Sequence, residues 1–295
     1  MKTKICFIIN PIAGLGIQKI NRNEVLAIFN KNQFEVTFKE TEYCKHARLL
    51  TQEALKENNS IIVACGGDGT INEIAGELVG TQVILGIVPI GSGNGLAKHL
   101  EIPTNNIYKA LQKIVTQHIE QIDIGKVNSY YFFSNMGIGF DTQVLKTYKR
   151  IKNRPMYSYI KAVVTSLFNY KNMPKIKVKV NDCNLLINPF LFMIANTNQL
   201  GYNLSLHRNA MINDGQLDLI IIKKQPKYKL VWLGLLMILK QEKYFNGIVH
   251  YVTKNIEVEQ LINTPYYLQK DGELIKMEES HISVNILDKA LNVIN

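Results

Sequence analysis

The segment "GGDGTINE", Gly66 to Glu73, places an acid inside a glycine turn. Glycine turns between a strand and a helix suit phosphate, because the backbone can come close and aim successive amides at it. A carboxylate would repel that anion, so Asp68 needs a partner that reverses the sign. It can hold Mg²⁺ that bridges phosphates, or take a proton from an attacking hydroxyl. In either case Gly66, Gly67 and Gly69 form a cradle around a phosphoryl-transfer group.

Two further turns carry the same chemistry. "PIGSGNGLAKHL" (Pro89 to Leu100) sets Ser92 and Asn94 as hydrogen-bonding groups beside Gly91, Gly93 and Gly95. "NPIAGLG" adds Asn10, Pro11, Gly14 and Gly16. Rival phosphate motifs are missing: no GxxxxGK followed by Ser or Thr occurs, and neither Gly67/Gly69 nor Gly14/Gly16 completes GxGxxG. A nucleophile elbow GxSxG is absent too, and His46, His99, His118, His207, His250 and His281 lack metal-ligand spacing.

The elements that must position these turns are legible as patterns. "KICFII", "FEVTFK", "SIIVAC" and "VILGIVPI" read as buried strands, with helices near 17–30, 47–57 and 70–79 between them. That alternation implies a parallel sheet with helices on its faces, and ligands bind beyond the carboxyl ends of such strands. All three glycine turns then share one sheet edge. The third helix repeats Ile71, Ile74, Ala75, Leu78 and Val79 at helical spacing. Thr70 and Glu73 suggest a capping box at its start, and Gly80 a stop. Amides and dipole at that start favour an anion.

Beyond about Gln121 the character changes. Strand-like runs such as "YYFFSNMGIGF", "KIKVKV", "LLINPFLFMIAN", "QLDLIII" and "HYVTKNIEVE" follow one another. The strict alternation of "KVKV" and "IEVE" suggests antiparallel strands with one wet face. Helices are expected near 157–169 and 228–240. The expected organisation is an α/β domain over 1–120 and a β-rich antiparallel domain over 121–285, with residues 286–295 packing back on the first.

At 295 residues, 46% hydrophobic and 20% charged, the composition is that of an ordinary globular protein. No apolar run is long enough to span a bilayer; the longest, Leu230 to Leu239, is about half the needed length. Four unpaired cysteines, Cys6, Cys44, Cys65 and Cys183, read as small core residues in a reducing cytoplasm. The net charge of +10 is uneven. Between Thr142 and Val180 lie ten cations, Lys146 to Lys179, and no acid; Lys223, Lys224, Lys227, Lys229, Lys240 and Lys243 are opposed only by Glu242. Such a surface attracts polyanions, either nucleic acid or anionic lipid. No nucleic-acid signature accompanies the charge.

Taken together, "NPIAG", "TEYCKHA" (Thr41 to Ala47), "GGDGTINE", "PIGSGNGLA", "NDGQLD" (Asn213 to Asp218) and "DGE" (Asp271 to Glu273) resemble the lipid kinases. This is the superfamily of diacylglycerol, sphingosine and ceramide kinases and their bacterial relatives, which shares its fold with NAD kinases. The resemblance implies an ATP- and Mg²⁺-dependent enzyme with its active site in an interdomain cleft. It implies ATP contacts at Asn10, Thr41, Gly67 to Glu73 (with Thr70 and Asn72) and Ser92. Glu273 is similar to the family's catalytic base, with Asp271 beside it and Asp68 acting on Mg²⁺; sphingosine kinases use the GGDG aspartate as base, so that division stays open. Asp214, with the carbonyls of Met211 and Gln216, resembles a structural Mg²⁺ site. Asp141, in "GIGFDTQV", is a candidate for holding the acceptor's polar head, or equally for capping a turn. The dipeptide Asp-Gly is also a common hairpin turn, which applies to Asp214 and Asp271.

One departure concerns Gly95, where bacterial diacylglycerol kinases commonly carry an aspartate. The Ser92-Gly93-Asn94 form is closer to sphingosine and ceramide kinases and tilts the acceptor toward a sphingoid lipid. The implied partners are a lipid substrate and an anionic membrane surface touched peripherally, without nucleic acid; a homodimer is left open. The helix around Trp232 and the segment 157–168 are candidates for lining an acyl channel. The competing readings are a NAD kinase and a non-catalytic lipid or nucleotide sensor of the same fold.

Overall fold

The computed structural model describes residues 2–16, 20–151, 156–170, 173–198, 210–261 and 266–295. Lys152, Arg154, Lys171 and His207 lie outside the described residues, as does the expected start of the first helix at Ile17. The chain divides into two compact units, Met1–Ile124 with Asp288–Asn295, and Gly125–Leu287.

The first unit runs β1 (Thr3–Ile9), α1 (Arg22–Ile28), β2 (Phe34–Glu40), α2 (His46–Lys56), β3 (Ile61–Gly66), α3 (Asp68–Leu78), β4 (Ile84–Pro89), α4 (Gly95–His99), α5 (Ile107–Thr116) and the start of β5 (Ile119–Val127). Its strands lie in the order β2-β1-β3-β4, all parallel. Residues Ile61 to Gly66 are buried throughout, which is what a strand covered on both faces requires. The order brings the ends of β2, β1, β3 and β4 to one edge. Thr41, Asn10, Gly67 and Ile90 therefore begin four neighbouring loops, with Gly91 next in the last.

Helix α3 buries Thr70, Ile71, Ile74, Ala75 and Leu78 and ends at Leu78, two residues before Gly80, whose φ of +76° is the left-handed turn glycine supplies without strain. Its start corrects the expected capping box. The helix begins at Asp68 with Gly67 as its cap and no side-chain cap hydrogen bond. Thr70 lies inside the first turn, its hydroxyl accepting from Asn10 Nδ2 at 3.0 Å.

The second unit continues with β6 (Tyr130–Phe132), β7 (Asn135–Gly139), α6 (Phe140–Lys149), α7 (Met156–Asn169), β8 (Ile176–Val180), β9 (Cys183–Ile187), β10 (Pro189–Ala195), β11 (Leu217–Lys223), α8 (Lys227–Ile238), β12 (Ile248–Thr253), β13 (Asn255–Gln260), β14 (Tyr266–Lys270), β15 (Glu273–Met277) and β16 (His281–Ile294). Six strands form an antiparallel sheet in the order β12-β11-β10-β7-β14-β15. A second antiparallel layer contains the first part of β16 with β13, β8 and β9, while the last residues of β16, which belong to the first unit, pair parallel with β4 there. The alternation seen in sequence is real: Val178 faces Val258 while Lys177 and Lys179 face Glu259 and Glu257 on the wet side.

Two expectations change. Helix α6 occupies part of a run read as strand. Cys6 and Cys65 are buried, but Cys44 and Cys183 are exposed. Separately, among the described residues no helix is long and apolar enough to cross a membrane.

Candidate active site

The three glycine turns of the first unit are fitted to each other, backbone against backbone. A Cβ on Gly14 (φ +60°) would run into the carbonyl of Ile90. One on Gly91 would meet the Cα of Gly67 at 2.6 Å, and one on Gly66 would meet the Thr70 side chain. Gly91 and Gly14 are thus required by loop-on-loop packing, and Gly67 is packed tightly against Gly91. Gly69 differs: it is exposed, and nothing lies within 4 Å of where its Cβ would be. Space for a ligand is open there, at the first turn of α3.

Asp68 ties the assembly together. Its Oδ2 accepts the Asn94 amide at 2.8 Å and its Oδ1 the Gly95 amide at 2.7 Å. Gly93 has to be glycine, because a Cβ would stand 2.5 Å from Asp68 Oδ2. The aspartate is compatible with a phosphate cradle partly because its charge is already shared by two backbone donors. A carboxylate has about four acceptor sites, so two remain for a cation.

Around it, Asn10 Oδ1 accepts the Ile12 amide at 3.2 Å, shaping the loop that contains Pro11. Thr41 donates its amide to Ile9 at the next strand end. Asn94 adopts a left-handed conformation (φ 54°), and its Nδ2 donates to the Gly91 carbonyl at 2.6 Å. Its Oδ1 is buried without a partner. A buried unpaired acceptor of this kind marks a place for a donor from outside the chain. Asn72 and Glu73 lie half-buried in the first turns of α3, and Ser92 sits between Gly91 and Gly93.

In the second unit Asp271 and Gly272 form the two-residue turn between β14 and β15, with φ of 46° and +79°. Both values are positive, as a type I′ hairpin demands. The Asp271 carboxylate accepts three amides, from Phe133 (2.9 Å), Ser134 (2.8 Å) and Asn135 (3.1 Å). Burial pushes its carboxyl upward, opposed by the Lys270 charge and those amides. Glu273, by contrast, is exposed at the first position of β15.

Asp141, in the first turn of α6, accepts the Thr142 amide at 2.8 Å through Oδ1. Its Oδ2 is buried against Gly137, which has no side chain to collide with it; the Gln269 side chain is near enough to act on the carboxyl but makes no well-formed hydrogen bond to Oδ2. Burial pushes the carboxyl up to about 7, against the pull of the Thr142 amide and Gln269. Gln269 also donates to Asn135 Oδ1 at 2.5 Å and accepts the Gly272 amide at 3.2 Å. Asn135 and Gln269 were not anticipated from sequence; a polar residue within the apolar run "SNMGIGF" is the signal that could have found the first. Lys146, on the same helix, stands 3.8 Å from the Tyr267 ring centre, where burial and Arg150 push its amine downward.

Asp214 is exposed, accepts the Gln216 amide at 3.1 Å and precedes Gly215 at φ +69°. With the carbonyls of Met211 and Gln216 it offers only oxygen donors, which suits a hard cation such as Mg²⁺. Among the described residues no cluster of three His, Cys, Asp or Glu side chains could hold a metal.

The chain resembles known proteins over most of its length. Residues 4–127 match the family described as "Diacylglycerol kinase catalytic domain", and residues 134–295 match "YegS C-terminal NAD kinase beta sandwich-like domain". A protein named diacylglycerol kinase from Staphylococcus saprophyticus is 31% identical over 92% of this chain and 90% of its own length. One of the same name from Bacillus subtilis is 29% identical over 90% and 88%. A crystal structure titled as a putative diacylglycerol kinase from Bacillus anthracis superposes with a TM-score of 0.76 at 24% identity, covering 99% of this chain and 96% of that one. The last likeness bears on fold alone.

Proposed function

This chain belongs to the diacylglycerol kinase family, and from that premise we propose that it transfers the γ-phosphate of ATP to a hydroxyl of a diacylglycerol or sphingoid-type lipid at the cytoplasmic membrane surface. As a member of that family it is a lipid kinase, which uses ATP. The observation that carries the finer reading is the grip of Asp68 on the Asn94 and Gly95 amides beside an open Gly69. It holds two glycine loops around the start of an eleven-residue helix, where free amides and dipole favour triphosphate.

The residues fit Mg²⁺, which when bound would neutralise phosphate charge; Asp68 through its two remaining acceptor sites, and Asp214 with the Met211 and Gln216 carbonyls, would hold it. The lipid hydroxyl oxygen forms a bond to the γ-phosphorus as the bridging β–γ P–O bond breaks and ADP leaves. Glu273 takes the hydroxyl proton. It is exposed and reachable, whereas both oxygens of Asp68 are already engaged by the Asn94 and Gly95 amides. Asp141 receives the acceptor's polar head at its unpartnered Oδ2.

Radiolabelled ATP offered with diacylglycerols, sphingoid bases, ceramides, phosphatidylglycerol and NAD tests this. Label on a lipid, reduced about 10²–10⁴-fold in Glu273→Gln, is expected. Label on NAD, or ATP binding without turnover on any lipid, would overturn it.

A further inference from the structure

Helix α8 is apolar on nearly every side, and only one side is used. Leu230, Leu233 and Leu236 are buried with Leu191, Ile220 and Ile222. The opposite side leaves Val231, Trp232, Leu235, Ile238 and Leu239 exposed, at 45–67% of their full surface. At 100° per residue these fall within about a third of the helix circumference. Helix α7 repeats the arrangement. Tyr157, Ile160, Val164 and Phe168 form one exposed stripe, while Ala162 and Leu167 are buried. The helices adjoin, since Lys227 Nζ donates to the Phe168 carbonyl at 2.9 Å and lies 5.4 Å from the Phe168 ring centre.

Two outward apolar stripes side by side make a patch that an isolated protein in water rarely shows. They face solvent, so the expectation that these segments line an acyl channel does not hold for the side chains named. The rim identifies what covers them. Lys161, Lys223, Lys224, Lys227, Lys229, Lys240 and Lys243 are all exposed, and Glu242, the one acid between Lys223 and Lys243, is buried. A second copy would set lysine against lysine around a two-fold axis. A nucleic acid would leave the stripes wet. An anionic bilayer satisfies both, taking the apolar side chains below its headgroups and the lysines among them.

We propose that the outward stripes of α7 and α8 are an interfacial anchor that inserts into an anionic lipid surface, with Trp232 at its centre. The inference rests on the reading of a lipid acceptor at a membrane, but it is measurable without turnover. Trp232 is the only tryptophan of the chain, so its fluorescence reports this face alone. The whole protein is mixed with vesicles of phosphatidylglycerol and phosphatidylcholine, and with phosphatidylcholine alone. The expected result is a shift of Trp232 emission to shorter wavelength with the anionic vesicles, quenched by acyl-chain bromine. Leu235→Glu and Ile238→Glu each keep the probe; they should abolish the shift and lower vesicle binding about tenfold or more. Phosphorylation of a water-soluble short-chain acceptor should stay unchanged in both. Vesicle binding with unmoved Trp232 emission overturns the assignment, as does failure to bind. A lipid-independent shift that tracks a doubling of mass would give the face to a second copy instead. An intact shift with no lipid phosphorylation would leave the anchor standing and remove the kinase reading.

Discussion

The chain contains Asp-Gly three times in its candidate chemistry, and two of these, Asp68-Gly69 and Asp271-Gly272, bind neighbouring loops and behave differently. Both carboxylates hold backbone amides of a neighbouring loop. Asp68 stands at the start of a helix and binds two amides of a second glycine turn, beside a glycine with empty space around it. Asp271 stands in a type I′ hairpin and binds three successive amides leading into β7. The first arrangement organises a surface with room for a ligand. The second stitches a hairpin to its neighbouring strand. The dipeptide is therefore no guide to role; what its carboxylate grips, and what remains open beside it, decides.

Substitution should pull the pair apart. Asp68→Asn sets an amide NH₂ against a backbone N–H and loosens the second glycine loop. Phosphoryl transfer should fall about 10³-fold, the scale of losing one preorganised electrostatic group, while stability falls by only about 1–3 kcal/mol. Asp271→Ala leaves the amides of Phe133, Ser134 and Asn135 unpaired, for an expected loss of about 3–6 kcal/mol in denaturant unfolding. A folded, stable Asp271→Ala with lost turnover would break the contrast and make Asp271 part of the chemistry.

A third aspartate sharpens the contrast because it lacks enough donors. Asp141 gives one oxygen to the Thr142 amide and buries the other unpaired, so its carboxyl is pushed up to about 7. Between the ordinary carboxylate range and about 7, the unfolded chain releases a proton that the folded chain keeps. Stability should therefore fall as pH rises through that window and level off above it. Asp141→Asn removes the group and should flatten the curve, gaining on the order of 2–4 kcal/mol relative to the parent at pH 8 and little at pH 4. A parallel pair of unfolding curves across that range would show that Asp141 finds a compensating partner. A long-chain ammonium added at pH 8 should restore part of the lost stability if the Oδ2 site accepts the acceptor's head.

Much of this was readable from residues, and the failures share a cause. The wet-faced strands β8 and β13 were legible because one side of each is polar, and α3 because its apolar stripe is confined to one side. Helix α6 was not, since Phe140 continues an apolar run that a strand explains equally well. The Asp68 grip joins residues 26 and 27 positions apart and depends on a left-handed Asn94, which no local pattern announces. Helix α8 misled in the opposite way. A helix apolar all round reads as buried or as channel lining, and only packing shows which side is left outside.

The smallest expected effect isolates the ligand space from the loop packing. Gly69 and Gly93 flank the same carboxylate, but alanine meets Asp68 Oδ2 at Gly93 and nothing at Gly69. Gly69 lies within α3 with no left-handed requirement, so Gly69→Ala should stabilise the fold by about 0.5–1 kcal/mol, the usual helix preference for alanine over glycine. If the open space is where triphosphate approaches the helix start, that added methyl occupies it. The variant should then melt slightly higher yet bind ATP more weakly, whereas Gly93→Ala should lose both stability and binding. A Gly69→Ala protein that is more stable and binds ATP as tightly as the parent would move the nucleotide away from α3. The Asp68 turn would then be a stitch of the same kind as the Asp271 hairpin.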